Sequence, residues 1–83
     1  MALADREAIM VHIGADNPAA AIELDLEFES KAEIARTRPT LYKPGRVKGT
    51  REIVVRPNYV MVYRVLGDAV EVLRVLHAAQ QWP

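Results

Sequence analysis

Residues 50–77 read TREIVVRPNYVMVYRVLGDAVEVLRVLH, and this stretch decides the fold. It contains three runs rich in β-branched and aromatic residues, which are Thr50–Arg56, Tyr59–Leu66 and Ala69–His77. Such runs are typical of strands. The links between them, Pro57-Asn58 and Gly67-Asp68, are turn dipeptides, and links of two residues join antiparallel neighbours. The stretch therefore predicts a three-stranded antiparallel meander.

The residues ahead of this stretch have helical periodicity instead. A first helix is expected over residues 2–13, with Gly14 as its C-cap. Asn17 and Pro18 then start a second helix, because asparagine caps free N–H groups and proline has no N–H to lose at the first helical position. The dipeptide Arg38-Pro39 ends this helix, since a residue before proline is pushed out of the helical conformation.

The fold class that follows is α+β, with a helical hairpin packed on one face of a small antiparallel sheet. At 83 residues the chain is expected to form a single domain, residues 1–83. The hairpin occupies residues 1–38, and the sheet and a C-terminal tail occupy residues 39–83. A chain this short buries only about 60% of the surface that it exposes when unfolded, so a partner that covers apolar surface would stabilise it.

The two later strands are apolar on both sides. Simple alternation puts Val60, Val62, Arg64 and Leu66 on one side of the middle strand, and it groups Val70, Val72, Arg74 and Leu76 in the last strand. Two helices cover only one face of a sheet. An open apolar face in so small a protein predicts either a dimer interface or a partner segment laid over it.

The net charge of zero conceals an asymmetry between the two halves of the chain. Residues 1–35 carry eight acidic and two basic side chains, and residues 36–83 carry nine basic and three acidic ones, so the halves come to −6 and +6. One interpretation is that the second half faces an anionic partner, either nucleic acid or an acidic protein segment. The other is that the two halves attract each other across the fold.

Several classes of protein are not expected from this composition. The chain has no cysteine, and its two histidines lie on different predicted elements, so we expect no disulfide, no metal site and no cofactor. Its apolar runs are shorter than the roughly 20 residues of a membrane span. The first seven residues are too charged for a signal peptide. We therefore expect a cytoplasmic protein.

Four segments together resemble a known group of proteins. They are Asp16–Ala21, Lys43–Val55, Pro57–Val65 and Val72–Pro83, they follow one another in the right order, and the resemblance that they carry extends over nearly the whole chain. With these segments the chain resembles the RelE/ParE superfamily of toxins from bacterial type II toxin–antitoxin pairs, and it is closer to the ParE-like branch. Family members begin with a short strand ahead of the first helix. Here Met1 stands directly before the predicted helix, so either the true start lies upstream of Met1 or this protein lacks that strand.

The resemblance implies a cognate antitoxin whose C-terminal segment wraps the toxin and covers its open sheet face or its helical hairpin. A hetero-oligomer of toxin and antitoxin is expected. On the sheet, the side chains expected to contact the antitoxin are Val60, Val62, Leu66, Val72 and Leu76.

The resemblance also implies one of two cellular targets. RelE-like members cleave mRNA on the ribosome, and they carry an arginine after the tyrosine that opens the middle strand, where this chain has Val60 after Tyr59. They also carry basic or catalytic residues after the last strand, where this chain has Ala78-Ala79-Gln80-Gln81. ParE-like inhibition of DNA gyrase is therefore favoured. The alternative is an mRNA endonuclease that uses Arg64, Arg74 and His77. A non-toxic remnant that still binds antitoxin is the third possibility.

Six further residues are expected to contact the target or a nucleic acid. They are Arg46, Lys48, Arg51, Gln80, Gln81 and Trp82. Trp82 either closes the core or serves as an exposed anchor for the target. His77 has an alternative role as a strand-end residue bonded to the backbone, and Arg51 has one as a structural partner of Glu52.

Overall fold

The computed structural model describes residues 2–77, which form two helices followed by one antiparallel sheet. The elements are α1 (Ala2–Asp16), α2 (Pro18–Thr37), β1 (Arg51–Arg56), β2 (Tyr59–Leu66) and β3 (Ala69–His77). The strands lie in the order β1-β2-β3, which confirms the α+β class and the meander. Within residues 2–77 neither helix is long and apolar enough to cross a membrane.

The helical hairpin differs from the expected one at a single point. We expected Gly14 to cap α1, and this was wrong, because the helix continues through Gly14 to Asp16. Gly14 does not have the positive φ of a glycine cap, and the N–H of Asn17 still donates to the carbonyl of Ile13 at 2.8 Å. The start of α2 is as predicted, since the Asn17 side chain accepts from the N–H of Ala20 at 3.1 Å.

The main core lies between α2 and the inner face of the sheet. Leu24 and Phe28 of α2 pack with Ile53, Met61 and Tyr63, and all five side chains are buried. The hydroxyl of Tyr63 donates to the carbonyl of Pro39 at 2.7 Å, so this buried polar group has a partner. Burial raises the pKa of the Tyr63 hydroxyl. The core therefore fastens the end of the hairpin to the central strand.

A β-bulge between β2 and β3 changes which residues face the helices. Val62 pairs with Arg74 but the next residue, Tyr63, pairs with Val72, so Leu73 is an extra residue in β3. Val70 and Val72 consequently pack against the helix-side core together with Val75. The simple alternation that grouped Val70 and Val72 with Leu76 was therefore wrong.

The outer face of the sheet is less open than we expected. Val60, Val62 and Leu76 form a second apolar cluster and are only 8%, 0% and 1% exposed. The expectation that these three side chains lie on an open face was wrong. The apolar side chains of the sheet that do reach the surface are Val54, Val65 and Leu66.

The loop between α2 and β1 is held in place by hydrogen bonds to the start of β1. The N–H of Gly45 donates to the carbonyl of Thr50 at 2.8 Å, and the N–H of Glu52 donates to the carbonyl of Lys43 at 3.2 Å. The buried Glu52 carboxylate accepts from the backbone N–H of Arg46 at 2.8 Å and from its side chain at 3.2 Å. Burial alone would raise the pKa of Glu52, but these bonds outweigh it and the pKa is lowered.

The carboxylate of Asp5 ties α1 to β3, the last strand in the order β1-β2-β3. It accepts from the Arg74 guanidinium at 2.6 and 2.9 Å and from the backbone N–H of Val75 at 3.1 Å. Burial acts to raise the pKa of Asp5, yet the bonds from Arg74 and Val75 prevail and the pKa lies below its usual value. The contact also satisfies a backbone donor of an edge strand.

Two glycine-to-alanine substitutions are expected to change stability in opposite directions. In Gly45→Ala the new Cβ would collide with Thr50 Oγ1 and lie 3.2 Å from Glu52 Cγ, so we expect a loss of about 1–3 kcal/mol. In Gly14→Ala the new Cβ would make an ordinary 3.8 Å contact to Ala21 inside a helix, so we expect a gain of roughly 0.5–1 kcal/mol. Urea unfolding measures both values. A Gly45→Ala protein as stable as wild type would contradict the loop packing.

The Asp5 contact is expected to make stability depend on pH. Because the folded-state pKa is lowered, the stabilisation is present above the unfolded-state pKa of about 4 and is lost as the pH falls through the lower folded value. Asp5→Asn should lower the free energy of unfolding by about 1–3 kcal/mol at pH 7, and the difference from wild type should shrink in acid.

Glu7→Gln is the matched control for this experiment. Glu7 lies on the same helix, is exposed, and makes no ion pair within residues 2–77. Its substitution should leave the urea midpoint unchanged at both pH values. A difference between wild type and Asp5→Asn that stayed constant down to pH 2 would show that the lost stabilisation does not come from the ionised carboxylate.

Candidate functional site

A cleft of about 310 Å³ opens between α1 and the ends of β2 and β3. It is lined by Asp5, Ala8, Ile9, His12, Tyr59, Val75 and His77. Both histidines of the chain are in this set. The cleft therefore brings the two imidazole side chains to one place in the fold.

The walls of the cleft are positioned by aromatic packing. The ring of His77 meets the ring of Tyr59 edge to face, with centroids 5.5 Å apart and planes at 87°. Tyr59 in turn packs edge to face on the buried ring of Phe28 at 6.3 Å. On the opposite wall His12 stands on the exposed side of α1. The chain of three rings joins His77 to the core and fixes where its imidazole lies.

The three residues proposed for RNA cleavage are engaged in different contacts. Arg64 donates to Glu71 on the neighbouring strand at 2.6 Å, and Arg74 is held by Asp5 of α1. His77 lines the cleft, whereas Arg64 is not among its lining residues. The cleft therefore brings His77 together with Asp5, the partner of Arg74, but neither arginine lines it, and Arg64 stands in a separate exposed ion pair. The catalytic roles stay predictions.

Sequence reasoning missed His12 as a companion of His77. The two residues are 65 positions apart, and a pattern along the chain does not report which helix face meets which strand end. His12 lies on the acidic first half and was expected only to be exposed, which it is. The packing of α1 beside β3 places His12 in the same cleft as His77, and no local sequence pattern predicts this.

The residues expected to contact a target have different surroundings. Arg46 is held by the buried Glu52, and Arg51 donates to the carbonyl of Tyr42 at 2.6 Å. Lys48 is exposed in the loop. Gln80, Gln81 and Trp82 lie outside the described residues. Arg46 therefore has a structural partner, and Lys48 and Arg51 make no ion pair within residues 2–77, although a backbone carbonyl holds Arg51.

The residues expected to bind an antitoxin are also unequal in exposure. Leu66 is 49% exposed, Val72 packs toward the helices, and the other three form the buried outer cluster. Apolar side chains that are more exposed than Leu66 lie on the helical hairpin instead. They are Leu3, Val11, Ile22 and Leu26, each at least 62% exposed. The sequence did not predict an antitoxin contact at these four residues, and Leu3 was expected to share the apolar side of the first helix with Ile9.

The described residues offer no set of ligands for a metal ion. Across residues 2–77 no three side chains of the ligating types His, Asp and Glu are grouped so that they could hold one. In the cleft the Asp5 carboxylate is already occupied by Arg74 and Val75. The arrangement is suited to proton exchange or to binding a partner group rather than to metal coordination.

Comparison with known proteins identifies close relatives. A sequence model of the family described as ParE toxin of the type II toxin–antitoxin system, parDE, matches residues 1–82. The putative toxin Y4kP of Sinorhizobium fredii is 37% identical over 83 residues, which are 99% of this chain and 85% of the relative. Toxin RelE2 of Caulobacter vibrioides is 37% identical over 81 residues, covering 95% of this chain and 89% of the relative.

A solved structure has the same fold. The match is to a chain described as the chromosomal ParDE TA system from P. aeruginosa, with a TM-score of 0.79 over 92% of this chain and 86% of that one. At 21% identity this likeness concerns the fold alone. The match of the family model and the identity to two toxins concern the whole sequence. The chain therefore belongs to the ParE toxin family of type II toxin–antitoxin systems.

Proposed function

We propose that this toxin acts as a ParE-like inhibitor of DNA gyrase and so blocks replication in the cytoplasm. The observation that carries the proposal is the state of the two candidate catalytic arginines. Arg64 is bound to Glu71 and Arg74 to Asp5, each through a contact of 2.6 Å. RNA cleavage needs cations that take up the charge of the transition state, and a guanidinium already neutralised by a carboxylate is poorly suited to that task.

The sequence around the cleft supports the same choice. Val60 follows Tyr59, and Ala78-Ala79-Gln80-Gln81 follows β3, so the positions where RelE-like nucleases carry basic or catalytic residues hold apolar or neutral ones. A gyrase inhibitor needs no catalytic chemistry, only a surface that binds its target. The family model that matches the chain is that of ParE toxins, which agrees with this choice.

The antitoxin is proposed to cover the exposed apolar side chains of the hairpin. Leu3 is 80% exposed and Val11 is 72% exposed on α1, and Ile22 and Leu26 are more than 60% exposed on α2. An apolar segment of the antitoxin laid over them would bury surface that the toxin cannot bury by itself. Leu66 extends the possible contact to the sheet. The protein would then be a hetero-oligomer with its antitoxin until the antitoxin is removed.

A second function is supported by a different observation, the presence of both histidines in one cleft. In an mRNA endonuclease one imidazole would take the proton of the 2′-hydroxyl, and the other would give a proton to the leaving 5′-oxygen. His12 and His77 are the residues for these roles, and Tyr59 lines the same cleft beside His77. This version replaces Arg64 with His12 in the set of residues that the sequence suggested.

Inhibition of gyrase is tested directly with purified protein. The toxin at micromolar excess should prevent gyrase from supercoiling relaxed plasmid, and the antitoxin encoded beside it should restore supercoiling. In bacteria, DNA synthesis measured by pulse labelling should fall before protein synthesis after induction. A fall of protein synthesis first would favour the nuclease. No fall in either would indicate a non-toxic protein that only binds antitoxin.

Endonuclease activity is tested by His12→Gln and His77→Gln. If the cleft cleaves mRNA, each change should lower the cleavage rate on ribosomes by about 100-fold or more, because it removes a general acid or base. Co-purification with antitoxin should stay unchanged, which separates loss of chemistry from loss of fold. Growth arrest that survives both substitutions would exclude the cleft as a nuclease site.

A further inference from the structure

The cations of the chain divide into two groups. Six arginines hold a carboxylate, and they are Arg6, Arg36, Arg46, Arg56, Arg64 and Arg74. The other five cations make no ion pair with any residue from 2 to 77, and they are Lys31, Arg38, Lys43, Lys48 and Arg51. Four of these five lie between residues 38 and 51. Pairing within the fold therefore accounts for most of the positive charge of the second half but not for this segment.

We call residues 38–51 the basic loop. It contains five cations and no acidic residue. The acid that follows it, Glu52, is 7% exposed and already bound to Arg46. The basic loop consequently keeps a net charge of about four that no neighbouring carboxylate neutralises. Such a concentration of charge in a chain of zero net charge indicates an anionic partner.

The basic loop is ordered before any partner binds. Its backbone is closed on β1 by the bonds of Gly45 to Thr50 and of Glu52 to Lys43, and the hydroxyl of Thr50 donates to the carbonyl of Val47 at 2.6 Å. Pro44 forms a bridge with Arg51 at the start of the sheet. A loop already fixed loses little conformational entropy on binding, so its charges are effective for recognition.

A cleft of about 360 Å³ lies between the basic loop and the end of β2. Its lining consists of Thr40, Pro44, Gly49, Thr50, Arg51 and Val65. The guanidinium of Arg51 is in this wall, and its bond to the carbonyl of Tyr42 fixes its position without neutralising its charge. Lys43 and Lys48 are exposed on the same loop. The cleft therefore combines a cation held in place by a hydrogen bond, two threonines and a glycine with two exposed lysines on the same loop.

We propose that the basic loop binds the phosphate backbone of duplex DNA without sequence preference. Arginine, lysine, threonine and backbone N–H groups are the usual partners of DNA phosphates, and each occurs here. An acidic protein segment would need an apolar anchor at the centre of the contact. Here the exposed apolar side chains nearest in sequence, Leu41 and Val54, do not line the cleft, and only Pro44 and Val65 among its six lining residues are apolar.

The choice of DNA as the polyanion rests on the proposed action on gyrase, whose substrate is DNA. The contact would hold the toxin beside the DNA that gyrase is handling and would raise its local concentration there. The binding itself is measured without gyrase. Its failure is therefore distinguishable from failure of the supercoiling assay.

The test is fluorescence anisotropy of a labelled 30-base-pair duplex with the full chain over a series of salt concentrations. We expect the affinity to fall steeply with salt, with a logarithmic slope of about −0.9 for each phosphate contacted. Lys48→Gln and Lys43→Gln should each reduce the magnitude of the slope by about 1, and the double variant should bind about tenfold more weakly or worse at low salt.

Lys31→Gln is the matched control, because Lys31 is the one lysine of the chain outside the basic loop and lies on α2 among acidic residues. It should leave both the slope and the affinity within about twofold of wild type. Circular dichroism should show the same fold in all variants. Absence of duplex binding at low salt, or equal effects of Lys31→Gln and Lys48→Gln, would overturn the proposal. Tighter binding of single-stranded RNA, or equal competition by poly-glutamate, would overturn it as well and would indicate a different anionic partner.

Discussion

The β-bulge at Leu73 is the constraint on which most of the sheet depends. By inserting one residue between the pairs Val62–Arg74 and Tyr63–Val72, it lets β3 present apolar side chains to the helices on both sides of the bulge. Without it, a strand of alternating residues would turn Val70 and Val72 away from α2 as soon as Val75 faced it. The helical hairpin covers one face of the sheet. Because of the bulge, β3 contributes Val70, Val72 and Val75 to that same face.

The bulge also explains how α1 is attached. Directly after it, Arg74 and the N–H of Val75 meet the carboxylate of Asp5, and His77 then reaches the cleft beside α1. No side chain of α1 is fully buried, although Ile9, Met10 and Ile13 pack against the core, so the bidentate ion pair on the strand edge adds to a partly exposed apolar contact. The candidate site and the fold therefore share one set of contacts.

The elements were predictable where the signals are local. The turn dipeptides at residues 57–58 and 67–68 delimit β2 and β3, whose bounds are as predicted, and Asn17-Pro18 starts α2 as predicted. The bulge was not predictable, because nothing in Val72-Leu73-Arg74-Val75 distinguishes a bulged strand from a regular one. The cleft was not predictable either, since it depends on a contact between α1 and β3 that only the folded chain defines.

The distribution of charge connects these observations with the choice of function. Within the fold Arg74 pairs with Asp5 and Arg56 pairs with Glu27, so part of the attraction between the acidic and basic halves holds the hairpin on the sheet. These ion pairs explain only part of the charge asymmetry in the sequence, because four cations of the basic loop make no ion pair within residues 2–77. A nuclease would be expected to keep its unpaired cations around the two histidines. Here four of the five cations without an ion pair in residues 2–77 lie in the basic loop, whereas both histidines line the cleft between α1 and the strand ends. The two clefts have no lining residue in common. This separation of charge from proton-transfer groups is a physical reason to favour binding over catalysis.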